Sequence, residues 1–525
     1  MLNKKYFTDR FDYLILTILS FFINFHYSNL GVLPQDTFAY YDTGYRVLNG
    51  SVPFRDYWTV SGPFIDYFQA FLFSIFNVSW KAYVINGSIL NSIITVVFYY
   101  TLKTFNQNRL LNLFYSICFL LLANPSMGVP FPDHYSAFLS LIGILFFLIA
   151  IKKEKKIFWL LIPLLYFLAF FSKQSPASYL LLPIIISSML YVFYYKELNF
   201  IKYLAVSSSL CMIFLFIFFY LNKINLNQFY NQYILFPQTI GEYRIKNYHF
   251  NINNLFFQFK WIYFFLIPLI GILFLQIIQD KIFKEKEIFI TNVIIIITSS
   301  VLIFHQTITK NFIFIFFLIP LLGSFMHLNL KNIKKYKNFI SIVLIAATLF
   351  STIKYHFRFN ENRKMLNLEK INLDLGVNAK SLHPSLNGLK WITREHFDDP
   401  EKEIKIIRDS MKVIKEDGSK KMLLTGYLFF SAVLDEDLNN PSRWPSLEDA
   451  SNPNVNNEYY KIYEEFVINL IKTKKIETLY STIDNQEDVF TNIFDKNCIK
   501  TKEINVFLIK HDIICLLYTS YAADD

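Results

Sequence analysis

Cysteine is scarce in this chain, at four among 525 residues, and no pair has the CxxC spacing of a metal or redox site. Cys118 and Cys211 fall inside apolar runs, where a packed small hydrophobe is the simplest reading. Cys498 has no evident partner, so no disulfide framework is expected. Also missing are a P-loop, a GxSxG elbow, an HExxH pair and a GxGxxG turn after a strand. The usual signatures of nucleotide-driven, serine-hydrolase, zinc-peptidase and dinucleotide chemistry are absent with them. No apolar run carries the row of charges an ion-coupled pump needs, and no repeat recurs at solenoid spacing. An enzyme built this way must draw its energy from an activated donor.

What the chain has in abundance is apolar surface. Hydrophobic residues make up 54% and aromatics 19%, with a mean hydropathy of +0.32. Those values exclude an ordinary soluble domain and predict a polytopic α-helical membrane protein. The net charge of +10 does not imply nucleic acid, because Lys and Arg come in short clusters between apolar runs. That is how cytoplasmic loops are held inside.

A span needs about 20 apolar residues, and ~17 can suffice. On that ruler about eleven spans are predicted, near 12–31, 82–104, 110–125, 135–151, 157–172, 177–195, 201–221, 257–279, 288–306, 312–329 and 337–353. The basic start Met1-Leu-Asn-Lys-Lys5 lacks a following small-residue cleavage site, so the first run reads as an uncleaved helix. With the N-terminus inside, every cytoplasmic loop carries Lys or Arg: 103–109, 152–156, 196–202, 280–287 and 331–337. Outward then lie a long first loop (32–81), the segments 124–134, 172–176, 222–256 and 305–311, and everything after Lys354. Within the first loop, Ile65 to Ser79 is apolar but short, and is expected to lie in the interface.

The expected division is a membrane domain over 1–353 and a soluble, outward α/β or α+β domain over 354–514. Amphipathic helices are predicted at Glu403 to Ile414 and Tyr459 to Ile471, and strands at Met422 to Leu424 and Glu503 to Ile509. The last residues, 515–525, resemble a sequencing-adaptor translation and are expected to be non-native.

Candidate chemistry gathers on the outward segments. Loop one carries Asp36, Asp42, Asp56 and Asp66, and the second outer loop ends in Asp133-His134. A general base at a membrane face must sit near headgroup depth and within reach of an incoming hydroxyl or amine. Asp36, a few residues beyond the first span, is best placed; Asp133 is its partner on the neighbouring loop. Each has a structural alternative as a helix cap. Lys173, in Phe171-Ser-Lys-Gln-Ser-Pro176, and Lys310, in His305-Gln-Thr-Ile-Thr-Lys-Asn311, are cations on the side where the positive-inside bias disfavours them. Flanked by hydroxyls and amides, they suit a phosphate, although either can snorkel instead. Arg244 is a further phosphate candidate, while Asp42, Asp56, His134 and His249 are accessory or acceptor-side candidates.

These residues together resemble the GT-C fold of multi-spanning glycosyltransferases, including the protein O-mannosyltransferase-like and aminoarabinose-transferase-like enzymes. The resemblance rests on Asp36 after the first span, Gly50-Ser-Val-Pro-Phe-Arg-Asp56 with Gly62-Pro63, Asp133-His134 and Phe171-Ser-Lys-Gln174. It implies transfer of a sugar from a polyprenyl-phosphate donor, with Asp36 as base, Asp133 supporting, and Lys173 and Lys310 holding the leaving phosphate. The implied partners are that donor, membrane lipids and a periplasmic lipid, glycan or protein acceptor, in a bacterial inner membrane with the C-terminal domain periplasmic. Where many relatives have a second acid after the base, this chain has Thr37, and no metal or cofactor is expected.

Rival readings are a transporter or flippase for lipid-linked glycans and an O-antigen-polymerase-like enzyme. A transporter predicts polar residues at midplane depth and symmetry between halves, and the sequence shows neither. In the C-terminal domain, Trp391, Tyr427 and Trp444 are candidate sugar-stacking aromatics, although such aromatics are more often core.

Overall fold

A computed structural model describes residues 2–123, 127–249, 251, 253–279, 284–309, 315–332, 336–445, 450–482, 494 and 498–515. The chain divides into two compact units. One holds Met1–Ser28, Val84–Ile217 and Arg244–Met365; the other holds Asn29–Tyr83, Phe218–Tyr243 and Leu366–Asp525.

Each apolar run that predicts a span forms a helix. They are α1 (Leu2–Ser28), α2 (Trp80–Thr104), α3 (Arg109–Ala123), α4 (Pro132–Lys153), α5 (Lys156–Phe170) and α6 (Gln174–Tyr195). There follow α7 (Asn199–Leu221), α8 (Lys260–Ile278), α9 (Lys286–Thr309), α10 (Leu318–Asn329) and α11 (Lys337–His356). Helices are the answer because lipid offers no partner to a backbone N–H or C=O. Among the described residues seven helical runs are long and apolar enough to cross a membrane: α2, α4, α6, α7, α8, α9 and the run opening with α11. The protein is a polytopic α-helical membrane protein.

Packing differs sharply among these helices. Nearly all of the apolar window of α4 is buried inside the bundle, against α5, α6 and α9, while α7 leaves most of its apolar surface exposed. Gly143 permits the close α4–α5 approach, since a Cβ there would lie 2.8 Å from the Tyr166 ring. The second outer loop is pinned to α1: Ser28 Oγ donates to the Gly128 carbonyl, and Asn24 Nδ2 reaches the same oxygen at 3.4 Å. Gly128 is needed there. It has φ +76°, and an added Cβ would lie 2.6 Å from the Ser28 backbone.

The second unit centres on a mixed four-stranded sheet, and the strands of the unit run in chain order. A short pair, β1 (Val377–Asn378) and β2 (Lys390–Trp391), precedes β3 (Lys421–Leu424), β4 (Thr478–Thr482), β5 (Ile499–Glu503) and β6 (Leu508–Ile513). The sheet order is β3-β4-β6-β5, with β3 and β4 parallel and the other pairs antiparallel. Parallel neighbours need a helical crossover, and α13 (Tyr460–Lys474) supplies it; α12 (Pro400–Glu416) is the other long helix of the C-terminal region. Asp399 caps α12 by accepting from Lys402 N at 3.1 Å. The apolar face of α13 (Tyr463, Phe466, Val467, Leu470) packs on Met422, Leu424 and Leu479, joined by Trp58 and Phe236 from distant segments. An α/β arrangement is what the sequence predicts here.

Two details depart from expectation. Glu503 to Ile509 is a hairpin rather than one strand, because Asn505 Oδ1 accepts from Phe507 N and Leu508 N, both at 2.8 Å, and turns the chain. Cys498 does have a partner: it is disulfide-bonded to Cys515, which ties the start of β5 to the end of β6.

The first outer loop folds as part of this second unit. Gly31 N and Val32 N donate to the carbonyls of Lys390 and Ile392, and Trp58 exchanges backbone bonds with Pro441 and Arg443. Gln232, in a π-helical turn (Asn231–Leu235), clamps the loop from another side, donating to Phe54 O at 2.9 Å and accepting from Thr59 N at 3.1 Å. Two ion pairs complete the attachment, one buried on both sides and one with a half-buried carboxylate. Arg443 binds Asp66, Ser61 and Tyr40; Arg46 pairs with Asp437 at 3.0 Å and donates to Asn440 O at 2.8 Å.

Breaking a buried pair strands the remaining charge and typically costs about 3–5 kcal/mol, whereas replacing both partners by apolar groups is often neutral. Arg443→Ala should therefore lower the unfolding free energy by about that amount in detergent melts, and Asp66→Leu with Arg443→Met should recover most of it. Equal losses in the single and double variants would contradict this account.

Candidate active site

In the first unit the outward-predicted ends of three packed helices meet. Phe131 is extended and Pro132 starts α4, so Asp133 falls in its first turn. Neither Phe131 nor Lys173, the N-cap of α6, makes a side-chain cap. Asp133 is thus not the cap that is its structural alternative. Its Oδ2 instead accepts from Lys173 Nζ at 2.7 Å. Asp133 is almost wholly buried, while about a quarter (26%) of the Lys173 side chain stays open. The ammonium is the side of the pair a ligand can approach.

Further groups surround this pair. Ser136 Oγ donates to Lys173 O at 2.7 Å, fixing α6 against α4. His305, near the end of α9, is hydrogen-bonded through Nε2 to Ser175 Oγ at 3.1 Å and through Nδ1 to Gln306 at 3.2 Å. His305 lies within electrostatic range of Asp133, Lys173 and Arg244, and Asp133 feels His134 as well. Asp133 and Lys173, which sequence reasoning selects separately, are therefore brought into contact, with His134 beside Asp133 and Arg244 within electrostatic range of His305. His305 joins them; its signal was the His305-Gln-Thr-Ile-Thr segment flanking Lys310. Lys310 itself lies outside the described residues. His249 is exposed, in the segment after the helix Phe236–Lys246.

Basic groups gather at the opposite helix ends. Lys152 pairs with Glu287 at 2.8 Å, and Lys331 donates to the carbonyls of Phe105 and Asn106, both at 3.1 Å. Asp133 and Lys152 are separated along α4 by roughly 28 Å at 1.5 Å per residue, close to the ~30 Å hydrocarbon thickness. A bilayer spanned by α4 would therefore place the Asp133 cluster at interface depth rather than mid-membrane.

A second polar group, which sequence reasoning missed, lies in the same unit. Tyr27 donates to Glu361 and is 3.1 Å from His356 Nε2, while Asn360 Nδ2 donates to Leu121 O at 3.0 Å. Arg363 is buried and donates to Met127 O at 3.0 Å, holding the second outer loop. The only sequence signal was the polar run Asn360-Glu-Asn-Arg363 following the last span.

The carboxylates of loop one belong to the second unit and have diverging surroundings. Asp36 is half-buried, in the first turn of the short helix Pro34–Thr37. The following helix, Ala39–Leu48, begins after Phe38 without a side-chain cap, so Asp36 does not cap it. Asp42 is buried, and burial pushes its carboxyl above the usual carboxylate range against the pull of Arg46. Asp56 closes its own turn, accepting from Val52 N at 2.7 Å and pairing with Arg55 at 2.7 Å. Asp66 is committed to Arg443. Of the four, Asp36 and Asp56 are half-buried, whereas Asp42 and Asp66 are buried.

Trp391, Tyr427 and Trp444 are core residues, the structural alternative to sugar stacking. All three are buried; Trp391 Nε1 and Tyr427 Oη donate to Glu403 at 2.9 and 2.8 Å, and Trp444 lies beside Arg443. Among the described residues no group of three or more His, Cys, Asp or Glu could hold a metal ion.

No protein-family profile and no curated protein sequence matches this chain. Among solved structures, that of ArnT from Cupriavidus metallidurans bound to undecaprenyl phosphate aligns over 95% of this chain and 97% of that one. The identity is 11% and the TM-score 0.48. Figures of that size leave activity and ligand to be argued from this chain's own residues.

A double-mutant cycle tests the cluster. Residues joined by an ion pair couple by about 0.5–3 kcal/mol, so Asp133→Ala and Lys173→Ala should be non-additive in thermal stability by that margin. Additivity within ~0.5 kcal/mol would mean that the two do not interact.

Proposed function

We propose that this protein is a membrane glycosyltransferase, moving a sugar from a polyprenyl-phosphate donor to a lipid, glycan or protein acceptor on the periplasmic side of a bacterial inner membrane. The observation that carries the reading is the Asp133–Lys173 pair with His305 and Arg244, at interface depth and opposite the basic helix ends. A polyprenyl chain lies in the hydrocarbon and presents its phosphate at that depth, where lysine and arginine are its natural partners.

In this reading Asp36 takes the proton from the acceptor hydroxyl or amine as that atom attacks the anomeric carbon. The bond from that carbon to the phosphate oxygen breaks, and the polyprenyl phosphate leaves with the electron pair. Lys173 and Arg244, with Lys310, stabilise the charge that develops on it, so a separate acid is not required. Attack opposite the leaving group inverts the anomeric centre with one base, unlike the paired carboxylates of a hydrolase. Asp133 positions Lys173 and supports the acceptor side, and Asp42, Asp56, His134 and His249 are accessory.

Support against a transporter comes from depth, since substrate-binding groups of transporters lie near the midplane.

Transfer from labelled polyprenyl-phosphate sugars in membranes is the test. Loss of a positioned general base typically costs 10²–10⁴-fold, and Asp36→Asn should fall by about that factor with expression retained. Asp133→Asn should also lose most transfer. Unchanged transfer in Asp36→Asn would remove that residue as base. No transfer by the unsubstituted protein from any donor would favour the transport reading.

A further inference from the structure

The second unit contains a cleft of about 220 Å³ between the helix Phe236–Lys246 and the loop that precedes α13. Its lining is Thr239, Ile240, Tyr243, Asn454, Asn456 and Asn457. No lining residue is charged. Three are carboxamides, two carry hydroxyls, and the Tyr243 ring is largely exposed.

The loop is held in shape by its own amides. Asn454 Oδ1 accepts from Asn456 N at 2.9 Å, Asn457 Oδ1 accepts from Tyr459 N at 3.0 Å, and Asn457 Nδ2 crosses to Thr239 Oγ1 at 3.2 Å. These bonds use up much of Asn457 and fix the cleft wall. The exposed Asn456 carboxamide makes no hydrogen bond among the described residues, and it lies in the lining.

We infer that this cleft is a binding subsite for a neutral carbohydrate. A carboxamide offers a donor and an acceptor side by side, which is the pattern that vicinal hydroxyls match. An exposed tyrosine ring gives the apolar face of a sugar a flat partner while its hydroxyl stays wet. Without a cation in the lining, nothing neutralises a phosphate or a uronate, so charged sugars are disfavoured. The volume falls below the ~300 Å³ at which pockets enclose a drug-sized ligand, and it suits one sugar ring of a longer glycan. Trp391, Tyr427 and Trp444 are buried, so this cleft provides an aromatic surface that those residues cannot. The inference does not depend on the transfer reaction, because binding is read directly.

Full-length protein in glycolipid-free nanodiscs should be examined by saturation-transfer difference NMR. The probes are maltose, lactose, mannobiose and N,N′-diacetylchitobiose, with glucose 1-phosphate as the charged comparison. At least one neutral disaccharide should give a signal. That signal should fall about fivefold or more in Asn456→Ala, the weight of one hydrogen bond, and at least as far in Tyr243→Ala. Both residues are exposed, so neither substitution opens the core. Three results would overturn the inference: no signal from any neutral probe, equal signals in variants and unsubstituted protein, or signal from glucose 1-phosphate alone.

Discussion

Hydrocarbon cannot solvate a backbone amide or a charge, and the first unit is arranged around that fact. Its apolar runs must be helical, its ionic groups must collect at helix ends, and any residue that handles charge must do so at one interface or the other. The outcome is an asymmetric bundle. Lys152, Glu287 and Lys331 tie one set of ends, and Asp133, Lys173 and His305 occupy the other. A helix such as α4, buried on nearly every side, holds Asp133 at a depth that its length and neighbours both dictate.

The second unit solves a different problem. Its segments are separated by hundreds of residues, yet loop one supplies Trp58 to its apolar core and Arg46 and Asp66 to its ion pairs. Burying these charges is expensive, and apolar replacements would cost less. What the pairs add is register: Asp66 accepts from Thr43 and Arg443, and Arg443 is satisfied only where loop one presents Asp66, Ser61 and Tyr40 together, so a misplaced loop strands a charge. The π-helical turn presenting Gln232 acts to the same end, because its amide satisfies one carbonyl and one N–H of the loop at once.

Sequence and structure agree where the controlling physics is local. Each of the eleven apolar runs became a helix, most with ends within a few residues of expectation, although the first begins ten residues early at Leu2 and the tenth six residues late at Leu318, since run length and flanking charge are most of what such an element needs. The amphipathic stretches that became α12 and α13 were legible for the same reason. Pairing at a distance was not. Asp133 and Lys173 were each selectable from position, but nothing in a spacing of 40 residues states that their side chains meet. Likewise, Asp42 and Asp66 look like solvated loop acids until residues beyond 430 fold over them. The hairpin at 504–507 was missed because one asparagine side chain breaks what hydropathy alone reads as a single strand. Cys498 was passed over because its partner lies in a tail that composition had set aside.

The Asp133–Lys173 pair also bears on how a phosphate would be held. An ammonium already facing a carboxylate carries little net charge at a distance, which by itself makes a poor anion trap. Geometry changes that conclusion. The carboxylate is enclosed and the ammonium is the open partner, so an approaching phosphate meets positive charge first and the negative charge from behind it. At an effective dielectric near 20, a unit charge at 4 Å is worth about 4 kcal/mol, and a phosphate at that distance from Lys173 is necessarily farther from Asp133. Arg244, within electrostatic range of His305, adds a second cation. On the proposed reading the pairing positions the lysine without cancelling it, and the carboxylate would aim the cation rather than compete for the ligand.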